Sequence, residues 1–215
     1  LRRLVVGAKI LVVEQTLKGK FHRGALLNTG FEWAMKAWPE TDFAIMHDCD
    51  LVPDAAVAAL YDKPKPFVCL AGGPGCRWCV SPTFVGGVTG VMPDAFVRMN
   101  GYPITNAYGW GGEDDALRRR AKSAGVLVHR NTEVGSYIDL ENTSVQQKLT
   151  WLKLHEEQKN MHKWALRDQH DRTWKTDGLN GPCAEMLQHT VTSSYDHLLV
   201  EVPPEPCEGS RGLFK

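Results

Sequence analysis

The sequence predicts an α/β domain with a mostly parallel central sheet flanked by helices, and three observations predict it. A short apolar run at residues 8–13, a helix-period stretch at 21–38 and a second apolar run at 43–47 follow one another in the order of a βαβ unit. The second run ends on Asp48-Cys49-Asp50, at the carboxyl end of a strand, where open α/β sheets gather their ligands. The segment Tyr108-Gly109-Trp110-Gly111-Gly112 then leads into Glu113-Asp114-Asp115, so that three carboxylates fall on the first turn of a helix.

The elements follow in order. Ala8-Lys9-Ile10-Leu11-Val12-Val13 suits a buried strand. Leu27, Phe31, Ala34 and Trp38 recur at helical spacing, and Pro39 ends that helix. Arg23 sits near its start, beside backbone N–H groups that favour a phosphate; an ordinary surface arginine is the plainer meaning. After the strand at 43–47, Leu51-Val52-Pro53 turns the chain away. A strand is expected at 67–71, a Gly/Pro-rich loop at 72–82, and a strand at 84–91 interrupted by Gly86-Gly87, a sign of a bulge or a close backbone approach. Pro93 opens a short helix through Met99, and Gly101 closes it. The helix carrying the three acids ends at Gly125, and a strand follows at 126–128. Residues 133–142 are expected as loop and 145–167 as one helix burying Leu149, Leu152, Met161 and Trp164. His155, His162 and His170 are taken as surface histidines. Asp177-Gly178-Leu179-Asn180 marks a turn, a last strand spans 197–202, and residues 203–215 form a tail rich in Pro, Gly and charge. Residues 1–202 are expected to be a single domain.

With 25 basic and 25 acidic residues in 215, the formal charge is zero, which argues against nucleic acid or an anionic membrane as the main partner. No apolar run approaches the roughly 20 residues needed to span a bilayer. The chain opens on Leu1 rather than Met and without a signal-peptide pattern, so an excised region is expected, with any membrane anchor outside it. Six cysteines permit disulfides without assigning them. Cys76-Arg77-Trp78-Cys79 has zinc-knuckle spacing, but no second pair completes a site, so a loop disulfide or buried thiols are expected.

Two carboxylate groups carry the candidate chemistry. Asp-x-Asp at a strand end can hold a divalent cation on one acid while the other contacts a ribose or orients the first, the cation bridging diphosphate oxygens. On the glycine-rich segment the backbone can approach a ligand, the Trp110 or Tyr108 face can stack on a sugar ring, and a carboxylate can take a proton from a hydroxyl. A preference of acids for the positive end of a helix dipole explains one or two of the three. It leaves unexplained why a glycine-hinged aromatic segment delivers them.

Taken together, these blocks resemble the β-1,4-galactosyltransferases. The resemblance lies in Phe21-His22-Arg23-Gly24-Ala25-Leu26-Leu27-Asn28-Thr29-Gly30-Phe31, Met46-His47-Asp48-Cys49-Asp50-Leu51-Val52-Pro53 and Phe84-Val85-Gly86-Gly87. It continues through Asn100-Gly101-Tyr102-Pro103, Gly109-Trp110-Gly111-Gly112-Glu113-Asp114-Asp115 and the Gly-Leu-Asn of residues 178–180. The Met-His-Asp run and the Arg-rich helix lean toward the proteoglycan-linker branch, which galactosylates xylose. The resemblance implies a GT-A fold and inverting transfer of galactose from a UDP-sugar donor to an oligosaccharide or glycoconjugate acceptor through a β-1,4 linkage, in the Golgi lumen. It implies Mn²⁺ on Asp50, donor contacts from Asp48, Arg23, Phe84, Gly86 and Gly87, and Trp110 touching donor and acceptor. Asp114 matches the general base, with Glu113 and Asp115 holding sugar hydroxyls and Tyr108 on the acceptor side.

The sequence departs from the family pattern in three places. The family completes its metal site with a His and a Met or second His; the matching positions hold Asp139 and Asn142, which offer a carboxylate and an amide oxygen, and His155 folding back is the other option. Phe84 stands where a Tyr is common, removing a hydroxyl that can help choose galactose over N-acetylgalactosamine. The family's Pro-Phe-Arg strand has no counterpart ahead of Leu1, so the fold is expected without its first strand. An N-acetylgalactosaminyltransferase and a catalytically silent carbohydrate-binding relative therefore stand as alternatives.

Overall fold

The computed structural model describes residues 5, 7–77, 81–181 and 184–204. Strand β1 (Leu11–Gln15) leads into helix α1 (Arg23–Ala37). The helix starts where it does because buried His22 caps it. Its Nδ1 accepts the Ala25 N–H, so Nε2 carries the proton and donates to Ile104 O at 2.7 Å.

Strands β2 (Ala44–His47), β4 (Phe67–Cys69), β5 (Val88–Val91) and β6 (Val128–Arg130) make a four-stranded sheet in the order β2-β5-β4-β6. β2, β4 and β6 run one way, and β5 lies antiparallel between β2 and β4. Short β3 (Leu51–Pro53) pairs antiparallel with β7 (Tyr137–Asp139), Leu51 opposite Asp139. β1 pairs in parallel with β9 (Asp196–Glu201), and β9 pairs antiparallel with β8 (Glu185–Val191). The helices between are α2 (Ala55–Ala58), α3 (Pro93–Arg98), α4 (Glu113–Ser123), α5 (Val145–Leu154), α6 (Lys163–Asp168) and α7 (His170–Thr173).

Phe31, Phe67, Phe96, Tyr102 and Leu117 form a core that joins α1, the four-stranded sheet, α3 and α4. A second cluster around Val57, Leu70, Val88 and Tyr137 sits beneath β3, and a third around Leu26, Tyr108, Leu198 and Val200 ties α1 to β9. Truncating a buried Phe or Leu in these clusters costs about 3–5 kcal/mol.

Buried polar links set the two main helices against each other. Asn28 of α1 donates to Tyr102 O at 2.9 Å and accepts the Tyr102 N–H at 2.8 Å. Arg120 of α4, 2% exposed, donates to Asn100 O and Gly101 O at 2.8 and 3.0 Å and to Asp177 O. The Asn100–Pro103 and Asp177–Asn180 blocks are thus scaffold: through Asn28 and Arg120 they tie α1 to α4.

Several expectations change. β1 pairs with β9 rather than β2, so the first strand-helix-strand run does not form one sheet. Residues 137–139, expected as loop, form β7. The expected helix at 145–167 breaks at His155, whose backbone leaves the helical region at φ −125° and ψ 64°. Its presumed apolar face is mostly outside: Leu152 is buried, whereas Leu149, Met161 and Trp164 are exposed. His170 is buried rather than a surface residue. β8, all of whose residues are exposed, has no apolar alternation to announce it. Trp78, Cys79, Cys183 and residues 205–215 lie outside the described residues.

Candidate active site

The end of β2, the Gly86-Gly87 pair and the start of α4 come together. The Asp48 N–H donates to Gly87 O at 2.9 Å, anchoring the Asp-x-Asp turn to the backbone that leads into β5. Gly87 holds φ +75°, a conformation that favours glycine. On the other side, a Cβ at Gly86 would collide with the Asp114 carboxylate. A glycine pair thus separates the two acid clusters, and a side chain at Gly86 would displace the Asp114 carboxylate.

Arg23 joins them. Its Nε donates to Asp48 Oδ1 at 2.8 Å and its Nη1 to Asp114 Oδ1 at 2.9 Å, with Glu113 Oε1 3.9 Å from Nη1. The guanidinium lies 5.6 Å from the Tyr102 ring centroid, and Nη2 is buried without a hydrogen-bond partner. Burial, then the Asp114 charge, push the Glu113 carboxyl up to about 7, against the relief that Arg23 supplies. Burial also raises Asp114, and Arg23 is the main opposing influence.

A second acidic group lies beside the first. Leu51 faces Asp139 across β3 and β7, and Asp50 O accepts the Leu140 N–H at 2.8 Å, so Asp50 is set next to the end of β7. Asp50, Asp139 and Glu141 each offer a carboxylate oxygen, all within 4.8 Å of one another, a set that can hold a metal ion. All are hard oxygen donors, suited to Mg²⁺ or Mn²⁺. Arg77 currently neutralises two of them, donating to Asp139 Oδ2 at 2.6 Å and Glu141 Oε2 at 2.5 Å, and Lys148 donates to Glu141 Oε1 at 2.6 Å. Asp50 has no cationic partner among the described residues; burial, then Asp48, raise its carboxyl.

The Trp110 segment is pinned from one side. Trp110 N–H donates to Gln158 O at 2.7 Å, Asn160 N–H to Trp110 O at 3.0 Å, and the buried Asn160 amide to Asn106 O and Gly111 O at 2.8 and 2.9 Å. The break after α5 is what brings residues 158–160 here. Gly112, at φ +99°, starts α4 without a side-chain cap, leaving its first-turn N–H groups to the acids.

A cleft of about 1540 Å³ is lined by Arg23, Asp48, Asp50, Phe84, Trp110 and Asp114, among others. Asp115 lines it too and is exposed. Gly86 is buried behind Asp114. Tyr108 is a correction: at 5% exposure it packs edge-on to His22, 4.5 Å between ring centroids, and belongs to the cluster under β9 rather than to an acceptor surface. Asn142 is exposed, at φ +48°, its N–H donating to Asp139 O at 3.1 Å. Glu141, Arg77 and Asn160 went unnoticed in the sequence. Glu141 had a signal: in extended chain it shares a face with Asp139, two residues before.

Residues 1–62 match the N-terminal region of glycosyl transferase group 7, and residues 77–143 match the family described as the N-terminal domain of galactosyltransferase. β-1,4-galactosyltransferase 4 of Cricetulus griseus is 33% identical over 204 residues, 94% of this chain and 56% of the relative. The chain is thus similar to the β-1,4-galactosyltransferases over nearly its whole length. The human β-1,4-galactosyltransferase 3 is 28% identical over 216 residues, 96% of this chain and 50% of the relative. The chain thus spans about half the length of these curated relatives.

Among solved structures, a mutant of Drosophila β-1,4-galactosyltransferase 7 in complex with manganese, UDP-Gal and xylobiose superposes with a TM-score of 0.74. It is 24% identical, and the match covers 95% of this chain and 84% of that one. The catalytic domain of the same Drosophila protein with xylobiose gives a TM-score of 0.69 at 23% identity, over 92% of this chain and 81% of that one. The fold is therefore GT-A, as the family resemblance implied. Among the described residues, no helix is long and apolar enough to cross a membrane.

Proposed function

We propose that residues 1–202 form the catalytic unit of an inverting hexosyltransferase that moves galactose from UDP-galactose to a sugar hydroxyl, GlcNAc, xylose or similar, to make a β-1,4 linkage. One observation carries the reading: Asp48 and Asp114, on two clusters remote in sequence, are held by one arginine in a single cleft that also contains a carboxylate trio fit for a cation. The family and the ligands of the Drosophila relative support it.

Asp48, Phe84 and Gly87 line the donor side, with Gly86 behind Asp114, and Arg23 offers Nη2 as a remaining donor. Asp114 is the base. As the acceptor oxygen bonds to the anomeric carbon, its proton passes to Asp114, and the bond from that carbon to the diphosphate oxygen breaks on the opposite face. Glu113 and Asp115 accept hydrogen bonds from sugar hydroxyls, and Trp110 covers the sugars and excludes water. Asp50, Asp139 and Glu141 would hold a divalent cation, Mn²⁺ by family, and Asn142 is a further candidate. Bound there, such an ion would offset the charge that gathers on UDP. The Golgi lumen is the compartment that fits this chemistry in the family.

A second reading, a carbohydrate-binding relative without turnover, draws on the Arg77 pairs with Asp139 and Glu141. A transfer assay separates the two, using UDP-Gal and UDP-GalNAc, xyloside and GlcNAc acceptors, with and without Mn²⁺. Mn²⁺-dependent galactose transfer is expected; acceptor binding without Mn²⁺, UDP or turnover supports the second reading, and a preference for UDP-GalNAc corrects the donor.

A further inference from the structure

We propose that Arg23 is a positioning residue for the base: one guanidinium, fixed at the amino end of α1, sets Asp114 against Asp48 and keeps Asp114 ready to accept a proton. This rests on the transferase reading given above.

The geometry is specific to arginine. Nε and Nη1 are two corners of a rigid planar group, so taking Asp48 on one and Asp114 on the other fixes the separation of the two carboxylates. A lysine, with a single nitrogen, cannot impose that spacing. The guanidinium is itself held. His22, immediately before it, is buried and bonded through both ring nitrogens, and its N–H donates to Gln15 Oε1 at 2.8 Å. The Tyr102 ring lies beneath Arg23, and Tyr102 is in turn clamped by Asn28. The stem therefore has little freedom, and the acids adapt to it. On the far side, Gly86 backs Asp114 so closely that the carboxylate has no room to withdraw.

The charges give the residue a second task. Asp114 is faced by Asp48, Glu113 and Asp115, by the Tyr102 hydroxyl and by the buried Cys69 thiol, and Arg23 is the cation paired with it. Burial and the neighbouring acids favour a protonated Asp114, which accepts nothing. Arg23 opposes them. Glu113, farther from the guanidinium at 3.9 Å, is raised as well, by burial first and then by the Asp114 charge.

The test compares wild type, Arg23→Lys and Arg23→Gln in two ways: the acid limb of kcat/KM against pH, and a ¹³C carboxyl NMR titration of Asp114, assigned by comparison with Asp114→Asn. In Arg23→Gln the acid limb and the Asp114 titration both move up by about one pH unit or more. In Arg23→Lys the limb stays within about half a unit, because the charge remains, while kcat falls about tenfold, because the spacing is lost.

If Arg23→Gln does not fold, the lysine variant decides: wild-type kcat and pH profile in Arg23→Lys overturn the proposal. A rate loss in Arg23→Gln that is equal at every pH, with the Asp114 titration unmoved, marks Arg23 as merely structural and also overturns it. Absence of galactose transfer by wild type at any pH instead overturns the transferase reading, and the NMR arm still reports on Arg23.

Discussion

Gly86 lies against Asp114 so tightly that a single added methyl group would collide with the carboxylate, although 28 positions separate the two residues in sequence. The Gly86-Gly87 pair therefore determines where the acid at the start of α4 stands. Gly86→Ala is expected to push Asp114 off Arg23 and lower kcat by about 100-fold or more. Overpacking of this kind costs about 1–3 kcal/mol, so the variant remains folded. Steady-state kinetics beside a thermal melt check both parts; wild-type kcat in a folded variant removes the glycine from the account.

Arg77 and a divalent cation compete for the same oxygens. Its side chain is 7% exposed and it neutralises Asp139 and Glu141, so Arg77→Gln is expected to bind Mn²⁺ about tenfold more tightly in an EPR titration. The metal-free variant is expected to lose about 1–3 kcal/mol, since it leaves Asp139 without its cationic partner while Glu141 keeps Lys148. Adding Mn²⁺ then recovers more stability in the variant than in wild type. Asp50→Asn has the opposite effect on affinity, weakening Mn²⁺ at least tenfold.

Glu113 makes the stability of the metal-free protein fall with rising pH. Its ordinary value is 4.5, and burial beside Asp114 pushes it up to about 7, so between those two values the folded state binds the extra proton. The unfolding free energy attributable to it therefore decreases as pH rises through that window and is level above it. Glu113→Gln removes this contribution and leaves those of Asp114 and Asp50. At pH 8 the variant is expected to be more stable than wild type by an amount on the order of 1–3 kcal/mol, and at pH 4 nearly equal. Urea melts of both proteins from pH 4 to 8 measure the difference.

Asn160 fastens the glycine segment. Asn160→Ala leaves Asn106 O and Gly111 O without their donor and frees the turn that holds Trp110, at a cost of about 1–3 kcal/mol. Hydrogen exchange at residues 109–112 is expected to quicken, and kcat to fall more than UDP affinity. Unchanged exchange there would show that the Trp110 N–H bond to Gln158 O and the Asn160 N–H bond to Trp110 O hold the segment unaided.

What the sequence made legible was local. Asp48 and Asp50 stand at a strand end, which follows from the apolar run before them; Glu113, Asp114 and Asp115 stand on a first helical turn, which follows from Gly111-Gly112 and the helix-forming residues after them. Arg23 could be marked as a candidate because it begins a helix. The rest depends on pairing across long separations. β7 is three residues long, and its partner lies more than eighty positions earlier, so nothing near Tyr137 announces a strand. Arg77 was hidden inside a cysteine motif, and its meaning comes only from Asp139 and Glu141. Tyr108 stands in an aromatic, glycine-rich run that suggested a sugar platform. Contact with His22 and the cluster under β9 takes it inside instead.

The most direct measurement is Asp114→Asn under single-turnover conditions with UDP-Gal, Mn²⁺ and acceptor, beside calorimetry of UDP binding. The amide keeps the shape and removes the proton acceptor. UDP affinity within about threefold of wild type and a rate at least 1000-fold lower are predicted. A variant that transfers galactose at close to the wild-type rate contradicts the account, because the base would then lie elsewhere.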